Sequence, residues 1–253
     1  MRLLPCFVLT ASFVFSTIAQ AEFAIIQDPD GTTNVRDKNF KTIAQLKANE
    51  LFWVWVGQDE IENHYYPDIP PHPTYTLVVR KNNLGSERVE YIARNRIKFL
   101  NSLQPLSCNY EDTDKSPQTC DGDKIHVRLQ RQAHQPKQHK YSYFIDPETK
   151  EHFDEIIAVD GVEAFGNGGY VPRTEFSQLD ISYNGVKQNI SIKPFAQWYN
   201  ALLDKAFYDV KEHRLYLLGG GGENDGMFQF VIQLREDERH QFSIENAIAF
   251  QPY

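Results

Sequence analysis

Apolar and polar residues alternate with a period of two along much of this chain. That spacing places one face of a β-strand in a core and the other in water. Ile125, Val127 and Leu129 alternate with His126, Arg128 and Gln130. Tyr141, Tyr143 and Ile145 alternate along a second run, closed by Asp146-Pro147-Glu148. The two runs are predicted to pair antiparallel around a polar turn, Ala133 to His139, in which His134 and His139 read as isolated, exposed residues. Phe153 to Val159 reads as a strand before an Asp160-Gly161 turn, and Gly166 to Gly169 as a flexible loop. Leu179, Ile181 and Tyr183 alternate before Asn184-Gly185, with Ile190 and Ile192 alternating after it. Asn-Gly between such runs marks a two-residue hairpin turn, because both residues tolerate φ > 0. Leu215 to Leu218, Met227 to Leu234 and Phe242 to Phe250 read as the last strands, with Gly219 to Gly226 as a hairpin loop. One stretch changes period. Phe195, Trp198, Tyr199, Leu202, Leu203 and Ala206 follow a helical spacing and predict one short helix opened by Pro194.

The N-terminal third has a different texture. Leu51 to Val56 is apolar on both faces, with Leu51, Trp53 and Trp55 on one side and Phe52, Val54 and Val56 on the other. A small barrel has one interior, so the second face needs cover from protein or from a ligand. Upstream, Asp28-Pro29-Asp30-Gly31 is a turn: Pro29 presets φ, aspartate side chains bond nearby N–H groups, and Gly31 accepts φ > 0. Asn34 and Arg36 follow on a strand-like run that turns Val35 inward.

Asp28, Asp30, Gly31, Asn34 and Arg36 match a D-x-D-G-x-x-N-x-R pattern, and the segment resembles the bacterial SH3 (SH3b) family. Thr42 to Leu46 resembles the family's second strand, Ala48 to Leu51 its next turn, and Tyr91 to Ile97 its closing segment. The family's Gly-Pro after the arginine is replaced by Asp37-Lys38, Glu90 stands before the closing aromatic, and residues 58–74 form an insertion. The resemblance implies an SH3-like small barrel that binds cell-wall peptidoglycan or an envelope polypeptide. The insertion carries His64, Tyr65, Tyr66, Asp68 and His72 among prolines that forbid the helix needed to align metal ligands. Tyr65, Tyr66 and Tyr75 are the candidate binding lip, with Trp53 and Trp55 as further ligand-facing rings. The second half resembles a β-rich domain that often follows such modules in exported proteins. Asp160-Gly161, the glycine-rich loop before Pro172, Glu175, and Asp225-Gly226 leading into Phe228 to Ile232 carry that likeness.

The expected organisation is therefore mainly β. Residues 22–100 form an SH3-like barrel, 101–123 a linker, and 124–253 a β-rich, sandwich-like domain with one short helix. Residues 1–21 read as an export signal: Arg2, an apolar run from Leu3 to Phe15, and a small-residue cleavage site at Ala19-Gln20-Ala21. The apolar run is short for a membrane span. A periplasmic or secreted bacterial protein is expected, not membrane-spanning. Cys108 and Cys120 then read as a disulfide. The net charge of −8 and the lack of a basic stripe exclude a nucleic-acid partner.

No G-x-S-x-G, H-E-x-x-H or Cys/His signature is present, and Gly219 to Gly226 lacks the Lys-Ser/Thr and helix of a phosphate loop. No metal or cofactor is expected, and the balance leans away from an enzyme. Three functions remain at this point. One is binding of peptidoglycan or an envelope polypeptide. Another is an immunity- or chaperone-type interaction with an exported protein, for which the acidic charge favours a basic partner. The third is an unrecognised cell-wall hydrolase acting through Glu223 or Asp225.

Overall fold

The computed structural model describes residues 22–54, 72–81, 87–109, 117–222 and 227–250. The expected export signal, Trp55, Tyr65, Tyr66, Glu223 and Asp225 lie outside the described residues. The protein is mainly β, and among the described residues its helical elements are single 3-10 turns. The chain divides into two compact units between Lys98 and Phe99.

Unit 1 holds strands β1 (Glu22–Ile26), β2 (Thr32–Arg36), β3 (Thr42–Lys47), β4 (Leu51–Val54), β5 (Tyr75–Lys81), β6 (Glu87–Ala93) and β7 (Ile97–Phe99). Their hydrogen-bonded order is β3-β2-β6-β5-β4-β1-β7. Alternation works as expected on β2, where Thr33 and Val35 are buried and Asn34 is exposed. On β4 all four residues are buried, so both faces are covered. Trp53 stacks edge-on against Phe23 at 5.1 Å between ring centroids. At 3% exposure it is a core residue and offers no ring to a ligand.

Unit 2 continues with β8 (Ser107–Asn109), β9 (Gln118–Asp121), β10 (Ile125–Ala133), β11 (Tyr141–Ile145), β12 (His152–Val159), β13 (Val162–Glu163), β14 (Thr174–Tyr183) and β15 (Val186–Ile190). The last four are β16 (Ala201–Asp209), β17 (Arg214–Gly221), β18 (Phe228–Glu236) and β19 (Phe242–Phe250). A five-stranded sheet, β15-β14-β10-β9-β8, and a four-stranded sheet, β16-β17-β18-β19, share one hydrophobic core. Ile125, Val127 and Leu129 enter it from the first sheet; Leu215, Leu217, Phe230 and Ile232 enter it from the second. Two sheets with a common buried face make a sandwich. The Asn184-Gly185 hairpin forms with both residues at positive φ, 48° and 81°, and Tyr183 opposite Val186.

Four expectations are corrected. Residues 101–123 are not a linker throughout, because β8 and β9 within them join the five-stranded sheet. There Cys108 and Cys120 face each other across the strands and form a disulfide. The helix from Pro194 is absent. A 3-10 turn at Lys193–Phe195 leads into strand β16 instead. Asn200 breaks the helical path at φ 52°, and its side chain accepts from the N–H groups of Arg173 and Thr174 while donating to the Gly166 carbonyl. Phe195, Trp198, Leu203 and Ala206 still reach the core, through a turn and a bulged strand.

Next, β10 does not pair with β11. It pairs with β14 and β9, while β11 joins β12 and β13 in a separate three-stranded sheet. The 3-10 turn at Pro136–Gln138 carries the chain out of one sheet and into the other. Finally, Gly219 to Gly221 are strand, not loop. A Cβ on Gly219 would lie 1.9 Å from the Leu202 carbonyl oxygen and 2.5 Å from the Phe230 ring, so glycine is what lets β16 and Phe230 close over β17.

Candidate functional site

In unit 1 the turn residues of the signature converge with its closing segment. The Asp28 carboxylate accepts from the Asp30 N–H at 2.9 Å, and Gly31 donates its N–H to the Asp28 carbonyl at 3.0 Å with φ 81°. Arg96 donates to the same Asp28 carboxylate, whose side chain is almost fully buried, and reaches Asp30 at 3.4 Å. Asn34 accepts from Gln45 on the neighbouring strand. Asp28, Asp30, Gly31 and Asn34 are thus scaffold.

Arg36 has a different setting. Its Nη1 donates to the Phe40 carbonyl at 2.8 Å, and its Cζ stands 5.5 Å from the Tyr75 ring centroid, within cation–π range. Phe40 packs against His72 at 4.5 Å, Tyr91 at 5.0 Å and Tyr75 at 5.5 Å, and His72 lies 4.8 Å from Tyr75. Tyr91 is buried and forms the floor, and burial raises its hydroxyl pKa. Phe40, His72, Tyr75 and Arg36 are each half-exposed.

Phe40 adopts φ 60°, the left-handed region that a bulky side chain rarely enters. The Asp37 carboxylate holds the turn by accepting from the N–H groups of Asn39 and Lys41, and the Asp37 carbonyl accepts from Phe40. Of the residues expected to face a ligand, Tyr75 belongs to this cluster, Trp53 is core, and Tyr65, Tyr66 and Trp55 are undescribed. Phe40 was not among the residues expected at the site, and His72 was expected only as part of the proline-rich insertion. The signal for Phe40 was faint: an apolar residue stranded in the polar run Arg36-Asp37-Lys38-Asn39.

Unit 2 gathers a polar cluster that the sequence scattered. His134 is buried, contrary to its reading as an exposed turn residue. Its Nδ1 lies 2.6 Å from Glu175 Oε2, and its Nε2 lies 2.8 Å from the Tyr141 hydroxyl. His139 stacks on it at 4.4 Å, with Nδ1 2.7 Å from Asp160 Oδ2 and Nε2 3.4 Å from Glu175 Oε2. Gln132 donates to the other Glu175 oxygen at 2.7 Å. The Lys140 N–H and His139 hold the Asp160 carboxyl below its usual range. Tyr199 stands edge-on to His134, and burial pushes its hydroxyl up to about 12, with the Glu175 charge adding to the shift.

The same unit exposes apolar side chains around its three-stranded sheet: Tyr143, Ile145, Phe153, Ile157, Val162 and Tyr170. Phe153, Ile157 and Tyr170 line a cavity of about 630 Å³ together with Asp154, Glu155 and Glu163. No family model, no curated protein and no solved structure matches this chain. Among the described residues, no helix is long and apolar enough to cross a membrane.

Proposed function

We propose that unit 1 is an SH3-like binding module of an exported bacterial protein. It recognises cell-wall peptidoglycan, through its peptide part, or an envelope polypeptide. Phe40, His72, Tyr75 and Arg36 form the recognition surface. The observation that carries this reading is Phe40 at φ 60°. A left-handed backbone under a large side chain costs roughly 1–2 kcal/mol, and such outliers gather at ligand clamps. Here the strained turn presents an aromatic ring beside two others and a guanidinium. Aromatic rings supply area at low entropy cost, and arginine recognises carboxylates, which wall peptides carry. The Cys108–Cys120 disulfide supports an oxidising, extracytoplasmic location. Hydrogen exchange with soluble wall-peptide fragments tests the surface. Protection is expected in peptides covering residues 36–41 and 72–76. Protection elsewhere, with those segments unchanged, overturns the assignment.

A second reading rests on unit 2. Exposed apolar rings with Asp154, Glu155 and Glu163 beside them suit a basic, apolar segment of another exported protein, as an immunity- or chaperone-type factor would bind. Crosslinking that maps to β12 and is lost in Phe153→Asp supports it. Crosslinking unaffected by that change removes it.

A further inference from the structure

We infer that His134, His139 and Glu175 form a binding site for one divalent transition-metal ion of the zinc type, held by two imidazoles and one carboxylate. The donor set is the argument. His134 Nδ1 and His139 Nε2 approach the same oxygen, Glu175 Oε2, at 2.6 and 3.4 Å, and the three donor atoms all lie within 4.8 Å of one another. Donors about 2.0–2.1 Å from one tetrahedral ion sit roughly 3.3 Å apart, so these three atoms are already gathered at close to the spacing of a coordination shell.

One nitrogen of each ring is left for a ligand bond. With His139 Nδ1 engaged by Asp160, Nε2 is the atom nearest Glu175; with His134 Nε2 engaged by the Tyr141 hydroxyl, Nδ1 is. A single metal ion on these two nitrogens and Glu175 Oε2 takes one ligand atom from each side chain.

The surrounding residues complete the site. Each ligand is held from behind: His139 by Asp160, His134 by the Tyr141 hydroxyl and Glu175 by Gln132. Such partners fix ring orientation and raise ligand basicity. Glu175 and Asp160 together balance the two charges of the ion. The rings now lie 22° from parallel, and imidazole lone pairs lie in the ring plane. Binding therefore requires the more exposed His139 to turn and break the stack. The ligands come from the end of β10, the following turn and β14, and Asp160 from the β12–β13 turn. An ion there would pin the three-stranded sheet to the sandwich.

The contrasting cluster is Glu236 with His213 and His240. Both of those histidines are more than half exposed and the carboxylate is already bonded by Tyr208. It serves as the internal control.

The test is titration of the full chain with Co²⁺, read by its visible absorption, and with Zn²⁺, read by calorimetry and thermal midpoint. One equivalent is expected, with band intensities of four- or five-coordinate cobalt and a midpoint that rises with zinc. His139→Ala and Glu175→Gln are expected to abolish the bands. Asp160→Asn should weaken binding about tenfold or more, and His213→Ala/His240→Ala should leave it unchanged. His139 sits at the rim, so circular dichroism of His139→Ala is expected to match wild type, and nitrogen chemical shifts of the His134 and His139 rings in the unmutated protein give a second readout. Failure to bind one equivalent, or unchanged binding in His139→Ala and Glu175→Gln, overturns the proposal. So does loss of binding in the His213/His240 variant, or ring shifts that do not respond to zinc.

Discussion

Replacing Asp28 with alanine removes the carboxylate that joins the first turn of unit 1 to its closing segment. The side chain is 3% exposed and bonds both the Asp30 N–H and Arg96. Breaking a buried ion pair costs about 3–5 kcal/mol, but Arg96 is 30% exposed and can recover part of its solvation from water. A hydrogen bond to a charged group contributes about 1.5–3 kcal/mol, so roughly 2–3 kcal/mol is the expected loss for Asp28→Ala. Asp28→Asn keeps an acceptor for Asp30 and loses only the charge, so a cost of about 1 kcal/mol is expected. For a unit of this size each kcal/mol moves the melting point by about 4–8 °C. Native-state hydrogen exchange read by mass spectrometry separates the units. Opening free energies should fall in peptides covering 22–36 and 91–98 and stay unchanged across 201–250. Arg96→Met combined with Asp28→Ala should cost little more than either change alone, since both break one pair. A loss below about 0.5 kcal/mol, the size of an ordinary surface substitution, or full additivity in the double variant would refute this account of the turn.

Three further outcomes follow from unit 2. Gly219→Ala should destabilise it by about 3 kcal/mol, at the upper end of overpacking costs, because the new Cβ meets the Leu202 backbone. Gly122→Ala, whose Cβ would meet nothing nearer than the Leu106 side chain at 3.4 Å, should cost far less; urea midpoints compare the two. Removing the disulfide by Cys108→Ser/Cys120→Ser should cost roughly 3 kcal/mol for a loop of this length, checked by the same midpoints in oxidised wild type and variant.

Acid should weaken unit 2. Burial pushes the Glu236 carboxyl up, but hydrogen bonds from Tyr208, His240 and His213 outweigh it. Hydrogen bonds from Arg214 do the same for Glu245, and both carboxyls end below their ordinary value of 4.5. The unfolded chain then binds protons first, so their contribution is complete above about pH 4.5 and is lost as pH falls through the folded-state values. Glu245→Gln should flatten that part of the stability–pH curve, and an unchanged curve would count against the Arg214 pair.

Much of the fold was legible because the physics was local. Alternation placed Ile125, Val127 and Leu129 in the core, and Asn184-Gly185 turned where both residues could take positive φ. The misreadings came from non-local causes. The apolar spacing from Phe195 to Ala206 fits a helix, but it equally fits a turn and a bulged strand once Asn200 bonds to Arg173, Thr174 and Gly166. Strands β10 and β11 are neighbours in sequence and alternate alike, yet their partners are set by the sheets on either side of the Pro136–Gln138 turn. The histidine cluster needed the fold. His134 and His139 sit in a polar run, and only the pairing of β10 with β14 brings Glu175 to them. In unit 1 Tyr75 was named among the aromatics of the expected lip, and it packs beside Phe40 and His72. The strained turn that lifts Phe40 beside it was not legible, since the left-handed position itself holds a phenylalanine instead of a glycine or asparagine.

The most direct measurement is sedimentation of the protein with purified sacculi at low and moderate salt, comparing wild type with Phe40→Ala/Tyr75→Ala. Wall recognition through unit 1 requires wild-type retention that survives moderate salt and is lost in the double variant while hydrogen exchange elsewhere in the chain stays native. Wild type remaining in the supernatant at both salts rules out the wall as its ligand, and retention of the double variant equal to wild type contradicts the aromatic surface as the binding site.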